Sequence, residues 1–152
     1  MSLKKTIILL TRKLPEKIEE KLQKKYTVVL NRNDKRYSYA ELKKKVSDID
    51  ILIPCISDTI DASIIKAAKK LKLISNFGNG VDNLDLITAK ENNVTVTNTP
   101  DVLTEDTADL VLTMILMISR KVQEAQKNLI EGCWSGWGPS ETMGERIKGK
   151  KV

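Results

Sequence analysis

Two kinds of hydrophobic pattern alternate along this chain. Short continuous apolar runs at 6–10, 28–30, 49–53, 71–74 and 94–96 are rich in β-branched residues and bounded by turn formers. That pattern predicts strands covered on both faces. Between the runs, apolar residues recur every three or four positions. Leu14, Ile18 and Leu22 follow Pro15, a residue suited to a first helical turn. Leu42 and Val46 mark a weaker second helix, and Ile60, Ile64, Ala68 and Leu71 a third, with Asp61 placed to cap it. A further short helix over 83–91 precedes the fifth strand. Alternating strand and helix predicts an α/β fold: a parallel sheet with helices on both faces, joined by right-handed crossovers.

From Thr104 the pattern changes. Thr104 is placed as a helix cap, with Glu105 and Asp106 favourably set against the positive N-terminus. Apolar residues then continue from Ala108 through Val111, Leu112, Ile115, Leu116, Ile118, Val122 and Ala125 to Leu129. This predicts one long helix of about seven turns, apolar nearly all round in its first half and ended by Glu131-Gly132. The chain divides accordingly into residues 1–100, which form the sheet, and 101–152, which hold the long helix and a tryptophan-containing loop.

A content of 41% hydrophobic and 30% charged residues argues against disorder and against a membrane protein. The longest apolar stretch, 110–118, is about half the ~18 residues needed to span a bilayer. The run Leu3–Leu10 is too short for a secretory signal, so the expected location is the cytoplasm. The net charge of +6 raises nucleic-acid binding, but the first fifty residues carry 14 Lys/Arg against 7 Asp/Glu. The whole excess therefore lies on outer faces of the early helices, with no nucleic-acid motif beside it, and no such partner is expected. Cys55 and Cys133 are far apart and there is no histidine, which argues against a disulfide framework and the usual zinc sites. Cys55 closes an apolar strand and reads as core, while Cys133 lies in a loop signal.

Three segments carry candidate chemistry. Gly78-Asn79-Gly80 follows the fourth strand, where open α/β sheets bind ligands; two glycines allow positive φ and bring N–H groups close to an anion, or serve only a tight turn. Thr97-Asn98-Thr99-Pro100 leads through a proline turn to Thr104 at a helix N-terminus. Trp134 and Trp137 stand in a glycine-rich loop, either as internal packing or as interface anchors.

In full these segments read L-I-S-N-F-G-N-G-V-D-N-L-D (73–85), V-T-V-T-N-T-P-D-V-L-T-E-D-T-A-D (94–109) and W-S-G-W-G-P (134–139). They resemble the D-2-hydroxyacid dehydrogenases, nearest the glyoxylate and hydroxypyruvate reductase branch. The resemblance is good over 45–152, and 1–44 match in pattern only. It implies a flavodoxin-like strand order 2-1-3-4-5 for a substrate-binding domain, and a long helix crossing into a Rossmann cofactor domain. The family's loop commonly reads F-G-V-G-Y-D-N-V-D, and its amides hold the substrate carboxylate. Carried over, the binders are the backbones of Asn79 and Gly80, with Gly78 permitting the approach; Asn79 and Val81 depart from the pattern. Thr104 matches a threonine lying against the nicotinamide end of the cofactor, and Trp137, with Trp134, matches a dimer-interface position.

The implied activity is reduction of a small 2-keto acid, such as glyoxylate or hydroxypyruvate, to the D-2-hydroxy acid with NAD or NADP. The family's arginine, glutamate and histidine come from later residues, and the chain ends at K-G-K-K-V where relatives continue into G-x-G-x-x-G. No catalytic residue or metal ligand is therefore carried over. The chain reads as a truncated portion, expected to be inactive alone and not to bind the dinucleotide, from a parent expected to be a homodimer. The alternative is a non-catalytic binding or regulatory module, like the corepressor relatives of the family.

Overall fold

The computed structural model describes residues 6–151; Leu3 to Lys5 of the early apolar run, and Val152, lie outside them. Contacts divide the chain into two compact units, Met1–Val102 and Leu103–Val152.

In the first unit, strand β1 (Ile7–Leu10) pairs in parallel with β2 (Thr27–Val29) and β3 (Ile51–Ile53). Strand β4 (Leu73–Ser75) joins β3, and β5 (Thr95–Thr97) joins β4, giving the order β2-β1-β3-β4-β5. The alternation of side chains across a strand assigns the two faces. Leu9, Leu52 and Ile74 enter one apolar cluster, completed by helices α2 (Tyr39–Lys45), α3 (Ala62–Ala67) and α4 (Leu86–Glu91) through Leu42, Ile64, Ile65 and Ala89. Ile8 and Leu10 enter the other, with Leu14 before helix α1 (Glu16–Gln23) and Leu22 within it.

Local chemistry sets where these helices start. Ser38 and Glu41 form a capping box at α2, and a 3-10 turn over Val46–Asp48 follows it. Asp61 accepts from Ile64 N–H at 2.9 Å, as its position before the apolar period implied, and Asp85 accepts from Thr88 N–H at 2.8 Å. These main-chain bonds are the leading cause that holds both carboxyls below the usual carboxylate range.

The edges differ from the expectation of strands covered on both faces. Thr95 and Thr97 of β5 are exposed and only Val96 between them is half-buried, because α1 packs against the β1–β2 end of its face. Cys55 is half-buried at the end of β3 rather than in the core.

The second unit corrects the single long helix. Helix α5 (Thr104–Ser119) and helix α6 (Val122–Ile130) are separated at Lys121, which is left-handed with φ 53°. The Ser119 carbonyl accepts from Glu145 N–H at 2.6 Å instead of continuing the helical ladder, and a Cβ on Gly144 would lie 2.5 Å from that oxygen. Such a tertiary bond leaves no trace in a 3.6-residue period. Thr104 is the first helical residue, not the cap; Leu103 occupies that position and makes no side-chain cap bond. The C-terminal stop lies where expected, with Glu131 capping α6 and Gly132 left-handed. No described residue of this unit is buried, and Leu110, Leu112, Met114 and Ile118 are among its exposed apolar side chains. No helix among the described residues is long and apolar enough to cross a membrane.

Candidate functional site

The loop after β4 is held by its carbonyls. Gly78 O accepts from Thr99 N–H at 3.0 Å, Asn79 O from Asn98 Nδ2 at 2.7 Å, and Gly80 O from Asn76 Nδ2 at 2.9 Å. Among the described residues, none accepts a hydrogen bond from the N–H of Asn79, Gly80 or Val81. Three successive open donors thus lie beyond the carboxyl end of a parallel strand, where open α/β sheets bind ligands.

The glycines serve this geometry differently from the expectation. Neither Gly78 nor Gly80 has positive φ. Gly78 is buried because Ile56, from the loop after β3, lies against it; a Cβ would come 2.1 Å from Ile56 Cγ2. Close approach of a neighbour, rather than a turn conformation, is what demands glycine there.

Beneath the loop lies a polar network that the motif reading did not single out. Asn76, 1% exposed, exchanges side-chain bonds with Asn83. Asn83 Nδ2 also lies 3.2 Å from both Cys55 O and Asp58 O, tying the β4 loop to the β3 loop. Asp58, 3% exposed, accepts from Cys55 N–H at 2.9 Å and from the buried Thr11 hydroxyl. The signal was in the sequence: Asn76 immediately precedes Phe77-Gly78, and Asn83 completes Asp82-Asn83. What was missing was the knowledge of which way each amide faces.

Around this polar floor the rim is apolar. Ile56 and Phe77 are exposed, with Phe77 N–H donating to Pro54 O at 2.8 Å. Burial, with the Asp58 charge second, pushes the Cys55 thiol up, so it stays protonated near neutrality and is no nucleophile. Among the described residues, no group of three His, Cys, Asp or Glu side chains could hold a metal.

The remaining expected positions belong to the other unit. Thr104 is exposed at the start of α5. Trp134 and Trp137 are exposed and line, with Val122, Ala125 and Leu129 of α6, an apolar groove of about 560 Å³.

The model of the D-isomer specific 2-hydroxyacid dehydrogenase catalytic domain matches residues 8–145. This chain belongs to that family. It is 35% identical over 149 residues to glyoxylate reductase from Thermococcus onnurineus, covering 95% of this chain and 45% of that protein. A solved structure of a Thermus thermophilus protein superposes with TM-score 0.79 at 37% identity, covering 92% of this chain and 45% of that one. The NADPH-dependent glyoxylate/hydroxypyruvate reductase of Sinorhizobium meliloti, solved in complex with NADP and malonate, gives TM-score 0.71 at 27% identity over 90% and 42%. The chain thus spans less than half the length of these relatives, and the α/β architecture with its five-stranded parallel sheet is the family's.

Proposed function

We propose that this chain is the substrate-binding portion of an NAD- or NADP-dependent reductase of small 2-keto acids, of the glyoxylate or hydroxypyruvate kind. In this reading the main-chain N–H groups of Asn79 and Gly80 hold the substrate carboxylate, Gly78 lets Ile56 close over the loop, and Ile56 and Phe77 exclude water from the carbonyl end. The observation that carries it is the set of three open N–H donors on a loop whose carbonyls at 78, 79 and 80 are bonded to Thr99, Asn98 and Asn76. A carboxylate seated there gains charge-assisted hydrogen bonds without a basic side chain.

The fit to a dinucleotide is different. The loop after β1 reads Thr11-Arg12-Lys13 without glycine, its Thr11 is buried and bonded to Asp58, and the Arg12 guanidinium is paired with Asp34. The described residues offer no cradle for a pyrophosphate, so no hydride-transfer step is assigned to them. Thr104, an exposed hydroxyl at a helix N-terminus, is the one residue we propose to face the cofactor. We assign Trp134 and Trp137 to an interface with a second copy, since aromatic side chains exposed on an apolar groove are typical anchors.

Titration of the isotope-labelled chain with oxalate, a two-carbon carboxylate, tests the site by NMR. Shifts centred on the amides of Asn79, Gly80 and Val81 support it, and shifts confined to other residues refute it. Incubation of the chain with glyoxylate or hydroxypyruvate and NADH or NADPH is expected to show no oxidation. Turnover would overturn the assignment of the reacting groups to other residues of the family. The second reading, a non-catalytic binding module, is favoured by the exposed apolar surface of α5; it requires that the Asn79–Val81 amides ignore oxalate.

A further inference from the structure

The anion loop is tied to the peptide that leads out of the first unit. Asn79 Oδ1 accepts the N–H of Asp101 at 2.9 Å, while Asn98 Nδ2 donates to the main-chain oxygen of Asn79 at 2.7 Å. Asp101 has φ 61°, a left-handed conformation that aspartate adopts more readily than most residues with a side chain and that a local hydrogen bond helps to fix. The bond from Asn79 is such a fixing contact. It also settles the orientation of the Asn79 amide, because an N–H must meet oxygen and not NH2.

We propose that Asn79 is a positioning residue that couples anion binding at the loop to the conformation of Asp101 at the exit from the first unit. The proposal rests on the reading that the loop binds a carboxylate. One peptide group carries the link: its N–H end, on Gly80, is an open donor, and its C=O end, on Asn79, is held by Asn98. An anion on the N–H polarises the group and strengthens the carbonyl as acceptor. The peptide held in this way carries the Asn79 side chain, and that side chain holds Asp101. An apolar residue at 79 would keep the open N–H groups and lose the acceptor. Main-chain recognition and side-chain coupling therefore come apart by substitution.

The test is amide hydrogen exchange by NMR on the whole 152-residue chain, with potassium oxalate as the probe. Oxalate is expected to shift Asn79 and Gly80 and to slow exchange at Asp101 about fivefold. Asn79→Val is expected to speed Asp101 exchange about fivefold without oxalate and to abolish the response, while Leu52 and Ile74 in the core keep their protection. Asn79→Asp retains an oxygen acceptor and is expected to restore Asp101 protection in the absence of oxalate, which separates the bond from bulk. Should Asn79→Val also lose protection at Ile74, Asn98→Ala removes the other bond and is expected to lose the oxalate response at Asp101. Oxalate shifts at Asn79 and Gly80 with unchanged Asp101 exchange would overturn the coupling and leave the carboxylate site standing. No shift at either amide would overturn the site, and the coupling with it.

Discussion

The side chains of Asn76 and Asn83 bond each other beneath the Gly78–Gly80 loop, Asn76 Nδ2 to Asn83 Oδ1 at 3.1 Å and Asn83 Nδ2 to Asn76 Oδ1 at 3.2 Å. The pair spans two loops, since Asn76 reaches Gly80 O and Asn83 reaches Cys55 O and Asp58 O. Asn83→Ala takes their partner from the buried Asn76 Oδ1 and from Asp58 O, while Cys55 O keeps the Asp58 N–H and Asn76 Nδ2 keeps Gly80 O, so it should cost about 1–3 kcal/mol. Urea unfolding measures this; a loss within error of zero would mean water replaces the side chain.

Gly78→Ala forces a methyl group into Ile56 and should destabilise by roughly 1–3 kcal/mol. Ile56 is exposed at its outer side, so Ile56→Ala alone should cost little. Combined, the two changes should recover most of the loss, and a double-mutant cycle reads the coupling. Simple additivity would show that the contact is not what requires glycine.

Asp34 bonds Arg12 and the N–H of Lys13, and these bonds, the guanidinium first, hold its carboxyl at about 2 against an ordinary 3.8. A depressed carboxyl contributes stability above its unfolded value and loses it as pH falls through the folded one. The contribution is thus intact above 3.8 and disappears toward pH 2. Solvent and salt screen the exposed pair, so the effect on stability is small. The Asp34 carboxyl carbon, followed by NMR, should titrate near 2, and Arg12→Gln should raise its midpoint. A wild-type midpoint near 3.8 would mean that the pair does not persist in solution.

The second unit exposes Trp137 at 87% and much of the apolar surface of α5, with no described residue buried. Helices of this length are marginal without a packed face, so the chain should self-associate. Sedimentation should show species larger than a monomer, and Trp137→Ser should shift them toward it. A wild-type monomer that the substitution leaves unchanged would remove the interface assignment.

Much of this protein is legible from its residues alone. The continuous apolar runs marked all five strands and the 3.6-residue periods marked the four helices of the first unit, because burial is written into composition wherever an element packs against the core. Asp61 and Gly132 marked element ends because capping acts within a few residues of its own position. The family motifs pointed to the Gly78–Gly80 loop. Tertiary structure alone decided the rest. The α5–α6 break comes from Glu145 N–H reaching Ser119, 26 positions earlier in the chain, and the need for glycine at 78 comes from Ile56 on another loop. The openness of the Asn79, Gly80 and Val81 amides comes from where three carbonyls found partners at 76, 98 and 99. Hydrogen bonds between distant loops have no periodicity, so these open donors become visible only once the chain has folded.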